Sequence, residues 1–315
     1  LWNLISSPFG GAVFPVNPKR DSVLGIKSYK SVKEIPAEID LAVIATNSKL
    51  IPGLVKECGE VGCKSAVVIS AGFKEAGPEG IELERQLLEN ARTAGMRIIG
   101  PNCLGIMVPP SGINATFAAG MARTGNVGFL SQSGALCTAL LDRSLGENIG
   151  YSKVVSMGNK ADVSESDVLE FLADDPETRV IMGYIESIDD GRRFLKAAKD
   201  VTLRKPVVLL KAGSTASGAR AASSHTGSLA GSDSAYAAAF RQAGILRAAS
   251  IEELFDFTVG FSMQPVPRQG RLLVLTNAGG PGILAADTAD RLGIPLAEVT
   301  AELREKIAPK VPPTS

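Results

Sequence analysis

Val127-Gly128-Phe129-Leu130-Ser131-Gln132-Ser133-Gly134 is an apolar run that ends on a serine- and glycine-bearing turn, and a helical pattern, Ala135–Leu145, follows at once. A short run apolar on both faces and feeding straight into a helix belongs to a parallel sheet covered on both sides. The same alternation repeats along the chain. Strands are expected at Ala12–Val16, Leu41–Ala45, Ala66–Ser70, Arg97–Ile99, Val127–Leu130, Lys153–Ser156, Val180–Ile185, Val207–Leu210 and Leu272–Thr276. The amphipathic stretches Glu79–Ala94, Glu165–Ala173, Arg192–Val201, Ser234–Ala243 and Ile251–Phe261 are expected as helices. The fold class is therefore α/β with parallel sheets. Ligands of such sheets bind beyond the C-terminal ends of the strands, so chemistry is sought in the loops that follow them.

Three units follow from this alternation. Residues 1–112 carry four strands and close on a Pro/Gly-rich loop, and residues 113–264 form a second α/β unit with four strands of its own. The linker Gln264-Pro265-Val266-Pro267-Arg268-Gln269-Gly270 leads into a third unit, 271–315, which opens as strand, glycine turn and helix. The first unit starts on a helix-like stub, Leu1–Ser7, and the third ends after about one βαβ; both ends are expected to be truncated.

Composition narrows the function classes. The 315 residues are 45% hydrophobic and 5% aromatic, with 33 glycines, as in a soluble α/β protein whose sheets are built from aliphatic residues. Thirty-three basic residues balance 33 acidic ones, which argues against a nucleic-acid or membrane-surface role. The longest apolar stretch, Leu272–Ala286, is interrupted by Asn277-Ala278-Gly279-Gly280-Pro281-Gly282, so no span is expected. Cys58, Cys63, Cys103 and Cys137 form no CxxC pair and have no histidine cluster beside them. That fits free thiols in the cytoplasm and speaks against a metal site.

The single histidine, His225, sits in Ser223-Ser224-His225-Thr226-Gly227-Ser228-Leu229-Ala230-Gly231. In the surrounding segment Gly213–Ser234, 18 of 22 residues are Gly, Ala, Ser or Thr. A linker has that composition, yet this one follows a buried strand and precedes a helix, which makes it a long functional loop inside a domain. An imidazole on such a loop can collect a group at one site and carry it to another. Glu186 ends the strand before and stands on the same rim, where a carboxylate can fix the imidazole tautomer. Two turns are expected to cradle anions at helix N-termini: Ser131-Gln132-Ser133-Gly134, and the stretch around Gly279 and Gly280. Lys19 and Arg20 follow Ala12–Val16, a pair of cations that suits a ribose phosphate of NADP or coenzyme A. Neither GxGxxG nor GxxxxGK[ST] occurs.

The motifs Pro15-Val16-Asn17-Pro18-Lys19, Gly100-Pro101-Asn102-Cys103-Leu104-Gly105, Ser131-Gln132-Ser133-Gly134, Gly158-Asn159-Lys160-Ala161-Asp162, Ser224-His225-Thr226-Gly227 and Thr276-Asn277-Ala278-Gly279-Gly280-Pro281-Gly282 occur in one order. In that order the chain resembles the nucleoside-diphosphate-forming acyl-CoA synthetases, relatives of succinyl-CoA synthetase. The resemblance covers essentially the whole chain. It implies a Rossmann-like CoA-binding domain, a flavodoxin-like ligase domain with parallel sheets, and the beginning of a further ligase domain. It makes His225 the phosphorylated residue and Glu186 its carboxylate partner. Pro15, Asn17, Lys19, Ala45, Thr46, Ser70, Gly72, Phe73 and Asn102 become the coenzyme A contacts. Ser131, Gln132, Ser133, Gly134, Gly279 and Gly280 become the phosphate cradle, and residues near Asn102, Asn159 and Lys160 face the acyl group. The implied reaction interconverts acyl-CoA, ADP and phosphate with carboxylic acid, CoA and ATP. ATP or ADP and its Mg²⁺ would sit on an ATP-grasp subunit or fused domain, in a hetero- or homo-oligomer. The rival readings are a CoA-sensing module of a fused protein acetyltransferase, for which a retained histidine is unexpected, and an NADP-dependent oxidoreductase, for which the dinucleotide turn is missing.

Overall fold

A computed structural model describes residues 1–7, 9–215, 217–218, 232–267 and 270–310. The chain divides into two compact units, Leu1–Gln264 and Pro265–Ser315.

The first unit begins with α1 (Trp2–Ile5) and a two-stranded hairpin, β1 (Ser22–Val23) and β2 (Ile26–Lys27). A three-stranded parallel sheet follows, β3 (Leu41–Ile44), β4 (Ser65–Val68) and β5 (Arg97–Ile99), in spatial order β3-β4-β5. Its crossovers are α2 (Ile51–Glu60) and α3 (Pro78–Ala94). Both helices present one apolar stripe, and Ile51, Val55, Leu87 and Ala91 pack on Ile44, Val68 and Ile98.

Among the described residues the second sheet has seven strands in the order β12-β11-β10-β8-β9-β6-β7. They are β6 (Gly105–Val108), β7 (Ile113–Thr116), β8 (Thr124–Ser131), β9 (Tyr151–Ser156), β10 (Val180–Ile185), β11 (Val207–Lys211) and β12 (Leu246–Ala248). The helices are α4 (Gly134–Gly146), α5 (Glu165–Asp174), α6 (Gly191–Thr202), α7 (Asp233–Ala243) and α8 (Ile251–Met263). Alternation along the central strands explains two separate cores. Val127, Phe129, Val180, Met182 and Val208 face Leu140, Leu141, Leu254 and Phe255. Leu130, Ile181, Val207 and Leu209 point the other way, against Leu169, Leu172, Phe194 and Phe240.

Three sequence expectations are corrected here. Ala12–Val16 is not a strand: it makes one bridge, Val16 with Tyr29. Pro15 and Pro18 flank that bridge without N–H groups to extend a ladder. Leu272–Thr276 also shrinks to a single bridge, Leu272 with Leu296, beside Pro295. Position 112 is not a sheet boundary. β6 and β7 straddle it as antiparallel neighbours, and β6 pairs with β9, so the division between the sheets falls before Gly105.

The two sheets are clasped where the loop after β9 runs beside β5. The amides of Asn159, Ala161 and Val163 donate to the carbonyls of Pro101, Gly100 and Ile98 at 2.8, 3.1 and 3.3 Å. Gly158 makes the approach feasible. Its φ is +55°, and a Cβ there would stand 2.2 Å from the Pro101 oxygen and 2.4 Å from that of Asn102.

The second unit, taken by itself, contains α9 (Gly279–Arg291) and α10 (Ala301–Ile307). No helix among the described residues is long and apolar enough to cross a membrane.

Candidate active site

Loops after β3, β4 and β5 gather three of the expected coenzyme contacts. The Ser70 hydroxyl donates to the Thr46 carbonyl at 2.6 Å and accepts the Thr46 amide at 2.9 Å. The Asn102 amide donates to the Ser70 carbonyl at 2.9 Å. Asn102 holds φ at +57°, a region that asparagine tolerates better than most residues. Ala45 and Thr46 are exposed at this rim.

Gly72 and Phe73 lie on the same loop system, and their amides donate to Glu75 Oε1 at 2.6 and 3.2 Å. Burial works to raise the Glu75 carboxyl, but the Asn159 carboxamide and those amides outweigh it and hold the group below its usual range. Asn159 Nδ2 donates to Glu75 Oε2 at 2.5 Å and to Glu84 Oε2 at 3.1 Å. Lys74 Nζ donates to the Asn159 carbonyl at 2.7 Å.

Pro15, Asn17 and Lys19 form a separate piece. Asn17 Oδ1 accepts the Lys19 amide at 2.9 Å, while Tyr29 pairs with Pro15 and Asn17 through the backbone. No hydrogen bond among the described residues joins this piece to Thr46 or Ser70. Lys19 and Arg20 are exposed and make no ion pair among the described residues, so their charge remains available to an anionic ligand. Such a cationic strip suits the phosphates of coenzyme A.

At the end of β8, Ser131 is fully buried, and its hydroxyl donates to the Ser133 carbonyl at 2.8 Å. Ser133 caps α4 by accepting the Leu136 amide at 3.2 Å. The amides of Gly134 and Ala135 keep no acceptor inside the helix, so the turn retains an anion-binding end.

Gln132 does something other than expected. Its Nε2 donates to Glu165 Oε1 and, at 2.7 Å, to the Ser187 carbonyl. Its Oε1 accepts the amides of Glu186 and Ser187 at 2.7 and 2.9 Å, and its own amide donates to Tyr184 at 3.2 Å. With every donor engaged, Gln132 is a clamp on the segment bearing Glu186, not a phosphate ligand. The carboxylate of Glu186 also bears on Tyr184, whose hydroxyl burial, with Glu186 beside it, pushes up to about 12.

Lys160 ties the two halves together. Its Nζ donates to Glu165 Oε1 at 2.5 Å and to the Ser187 carbonyl at 2.8 Å, with Asp189 Oδ2 at 3.3 Å. Asn102 Nδ2 donates to Asn159 Oδ1 at 3.3 Å. A continuous path therefore runs from Thr46 through Ser70, Asn102, Asn159, Lys160, Glu165 and Gln132 to Glu186.

His225 lies outside the described residues. Gly279 and Gly280 open α9, whose N-cap, Ala278, supplies no side-chain hydrogen bond. Cys103, on the loop after β5, is not placed to act as a nucleophile. It is buried, donates to the Val68 carbonyl at 3.3 Å, and burial pushes its thiol up to about 12.

Sequence reasoning missed Glu75, Glu84, Glu165 and Lys74. Glu84 and Glu165 carried a usable signal: they fall on the inward stripes of α3 and α5, where a carboxylate requires partners.

Comparison with known proteins finds a family model over each of the two sheets. A model described as "CoA binding domain" matches residues 3–109, and one described as "Succinyl-CoA ligase like flavodoxin domain" matches residues 124–261. The ADP-forming acetate–CoA ligase I of Archaeoglobus fulgidus is 51% identical over 98% of this chain, which spans 44% of that protein. The alpha subunit of the ADP-forming acetate–CoA ligase II of Pyrococcus furiosus is 50% identical over 96% of this chain, which spans 66% of it. The chain thus spans roughly half to two thirds of these curated relatives. A structure described as the dinucleotide forming acetyl-coenzyme A synthetase 1 of Ca. Korarchaeum cryptofilum, in complex with phosphate and ADP, superposes with a TM-score of 0.92. It is 47% identical, and the match covers 99% of this chain and 67% of that one. With two sheets clasped as a CoA-binding and a ligase-like domain, and with relatives at this identity, the chain belongs to the nucleoside-diphosphate-forming acyl-CoA synthetase family.

Proposed function

We propose that this chain is the CoA-binding and phosphoryl-carrying part of an ADP-forming acid–CoA ligase. The observation that carries the reading is Glu186. It stands on the C-terminal rim of β10, gripped through its backbone by Gln132 at the N-terminal end of α4. In this reading, residues up to about the start of β6 hold coenzyme A, and residues from β6 to 264 perform phosphoryl transfer. Residues 271–315 open a further ligase domain. Coenzyme A lies along Pro15, Asn17, Lys19, Ala45, Thr46, Ser70, Gly72, Phe73 and Asn102.

An oxygen of inorganic phosphate attacks the acyl carbonyl, and the carbon–sulfur bond breaks to release the CoA thiolate. An imidazole nitrogen of His225 then attacks phosphorus, and the carboxylate leaves. Glu186 holds the other ring nitrogen, while the Gly134 and Ala135 amides stabilise the phosphoryl oxygens. ADP, with its Mg²⁺, accepts the phosphoryl group on an ATP-grasp subunit or fused domain in the cytoplasm. The reaction is reversible.

The test mixes the chain with acyl-CoA and radiolabelled phosphate. We expect one acid-labile, base-stable label. His225→Ala abolishes it, and Glu186→Gln lowers it while coenzyme A binding persists. Label surviving in the alanine variant removes His225 from the mechanism.

A further inference from the structure

Lys211 closes β11 on the ligand-facing rim, and nothing above uses it. The residue is 5% exposed. Its ammonium can donate three hydrogen bonds. It gives one, to the neighbouring Ala212 carbonyl, and stands 4.4 Å from the centre of the Tyr236 ring. No carboxylate among the described residues lies within ion-pair distance. Asp233, the nearby acid it senses most, is committed to Arg247, with Oδ1 at 2.5 Å and Oδ2 at 3.2 Å from the guanidinium. Glu186, next in influence, bears on Tyr184. The ring over Lys211 belongs to the first turns of α7, an 11-residue helix whose N-terminal potential is also positive. Tyr236 is itself fixed, its hydroxyl accepting the Ile188 amide at 3.1 Å. A buried cation with donors to spare, beside a positive helix end, is costly without an anion.

We propose that Lys211 is the fixed cation of an oxyanion site at the rim formed by β10, β11 and α7, and that its ligand is a tetrahedral phosphate group. Ile185 is the register partner of Lys211, so the site adjoins Glu186 on the neighbouring strand. This deepens the ligase reading and rests on it. There, the group is either inorganic phosphate or the phosphoryl group after transfer, and Lys211 binds its oxygens as a point charge.

Two measurements on the 315-residue chain decide the matter, with inorganic phosphate as the probe. Phosphate should raise the melting temperature of the wild type. If His225→Ala retains that effect, the ligand is free phosphate held without the imidazole; if it loses the effect, binding also requires the imidazole, and the acyl-CoA labelling yield becomes the readout. Lys211→Met, which fills the same space without charge, should shift the phosphate midpoint upward by about tenfold or more, or cut the label equally. Its melting temperature without phosphate should hold or rise, because an uncompensated buried charge is gone. A Lys211→Met protein that responds to phosphate as the wild type does overturns the proposal. As a control for misfolding, the Lys211 ¹⁵Nζ resonance of the unmodified chain should move on phosphate addition, and a stationary signal also overturns it. Loss of label with coenzyme A and phosphate binding intact would instead condemn the ligase reading alone.

Discussion

Gln132 shows how one side chain sets the geometry of another several residues away in space. Both its amide hydrogens and its carbonyl oxygen are consumed by Glu165, Ser187 and Glu186. Gln132→Leu keeps the volume but leaves the Glu186 and Ser187 amides without their acceptor, and Lys160 alone then holds the Glu165 carboxylate and the Ser187 carbonyl. Stability should fall by about 2–4 kcal/mol, at about 1–3 kcal/mol for each group left without a partner and some relief from water. Urea titration gives the number. Labelling of the histidine should fall with it even under conditions where the variant is fully folded, because the backbone holding Glu186 is released. A variant with wild-type midpoint and wild-type label would show the clamp to be incidental. Gly158 offers a second test at this scale. Ala at that position meets the Pro101 and Asn102 oxygens at 2.2 and 2.4 Å on a backbone with φ of +55°. Gly158→Ala should therefore destabilise by about 2 kcal/mol or more, beyond the ordinary strain of a left-handed alanine.

Strand–helix alternation made β3, β4, β5 and the core strands of the larger sheet readable, because those runs are long, β-branched and bounded by turns. Val180–Ile185 and Arg97–Ile99 fall where the pattern put them. What could not be read were the places where two elements share one sheet edge. Nothing in Gly105–Val108 says that it joins β9 instead of β5, since partner choice depends on distant hydrogen bonds. Asn102, Asn159 and Lys160 could be named from their motifs. Their joint role could not, because Glu75, Glu84 and Glu165 arrive from other elements. The clasp between sheets predicts a specific pH signature. Asn159→Asp replaces a donor shared by Glu75 and Glu84 with a third carboxylate. Like charges at that distance raise carboxyl pKa values, so at least one group must hold a proton in the folded state. The folded variant then binds more protons than the unfolded chain above about pH 4, and its stability rises as pH falls from 8 toward 5. The wild type, with Glu75 held below its usual range, should show the opposite slope at the acid end. Melting curves across that range distinguish the two, and parallel profiles would remove Asn159 from the charge balance.

At the scale of the whole molecule, three buried cysteines make the alkaline limit of the fold predictable. Burial pushes the thiol of Cys58 up to about 11, and those of Cys103 and Cys137 up to about 12. The Tyr184 hydroxyl follows, to about 12. Unfolded, the thiols ionise near pH 8.5 and tyrosine near 10. Below these values both states hold every proton, so the groups leave stability unchanged. Between them and the folded values the unfolded chain has released protons that the folded chain retains, and stability falls with each unit of pH. Three thiols ionised only on unfolding give a slope of about 4 kcal/mol per unit between pH 9.5 and 11, at 1.36 kcal/mol for each proton. Stability is therefore expected to be level from about pH 6 to 8 and to drop steeply above 9. The urea midpoint under reducing conditions at pH 8, 9 and 10 measures this, and Cys58→Ala should reduce the slope by about a third if the thiols contribute equally. The same burial makes Cys103 and Cys137 unreactive toward iodoacetamide at pH 8 until the chain unfolds. Rapid alkylation of either in the native protein would mean that the core between the two sheets opens, and the path from Thr46 to Glu186 would then lack the rigid frame that holds its ends in register.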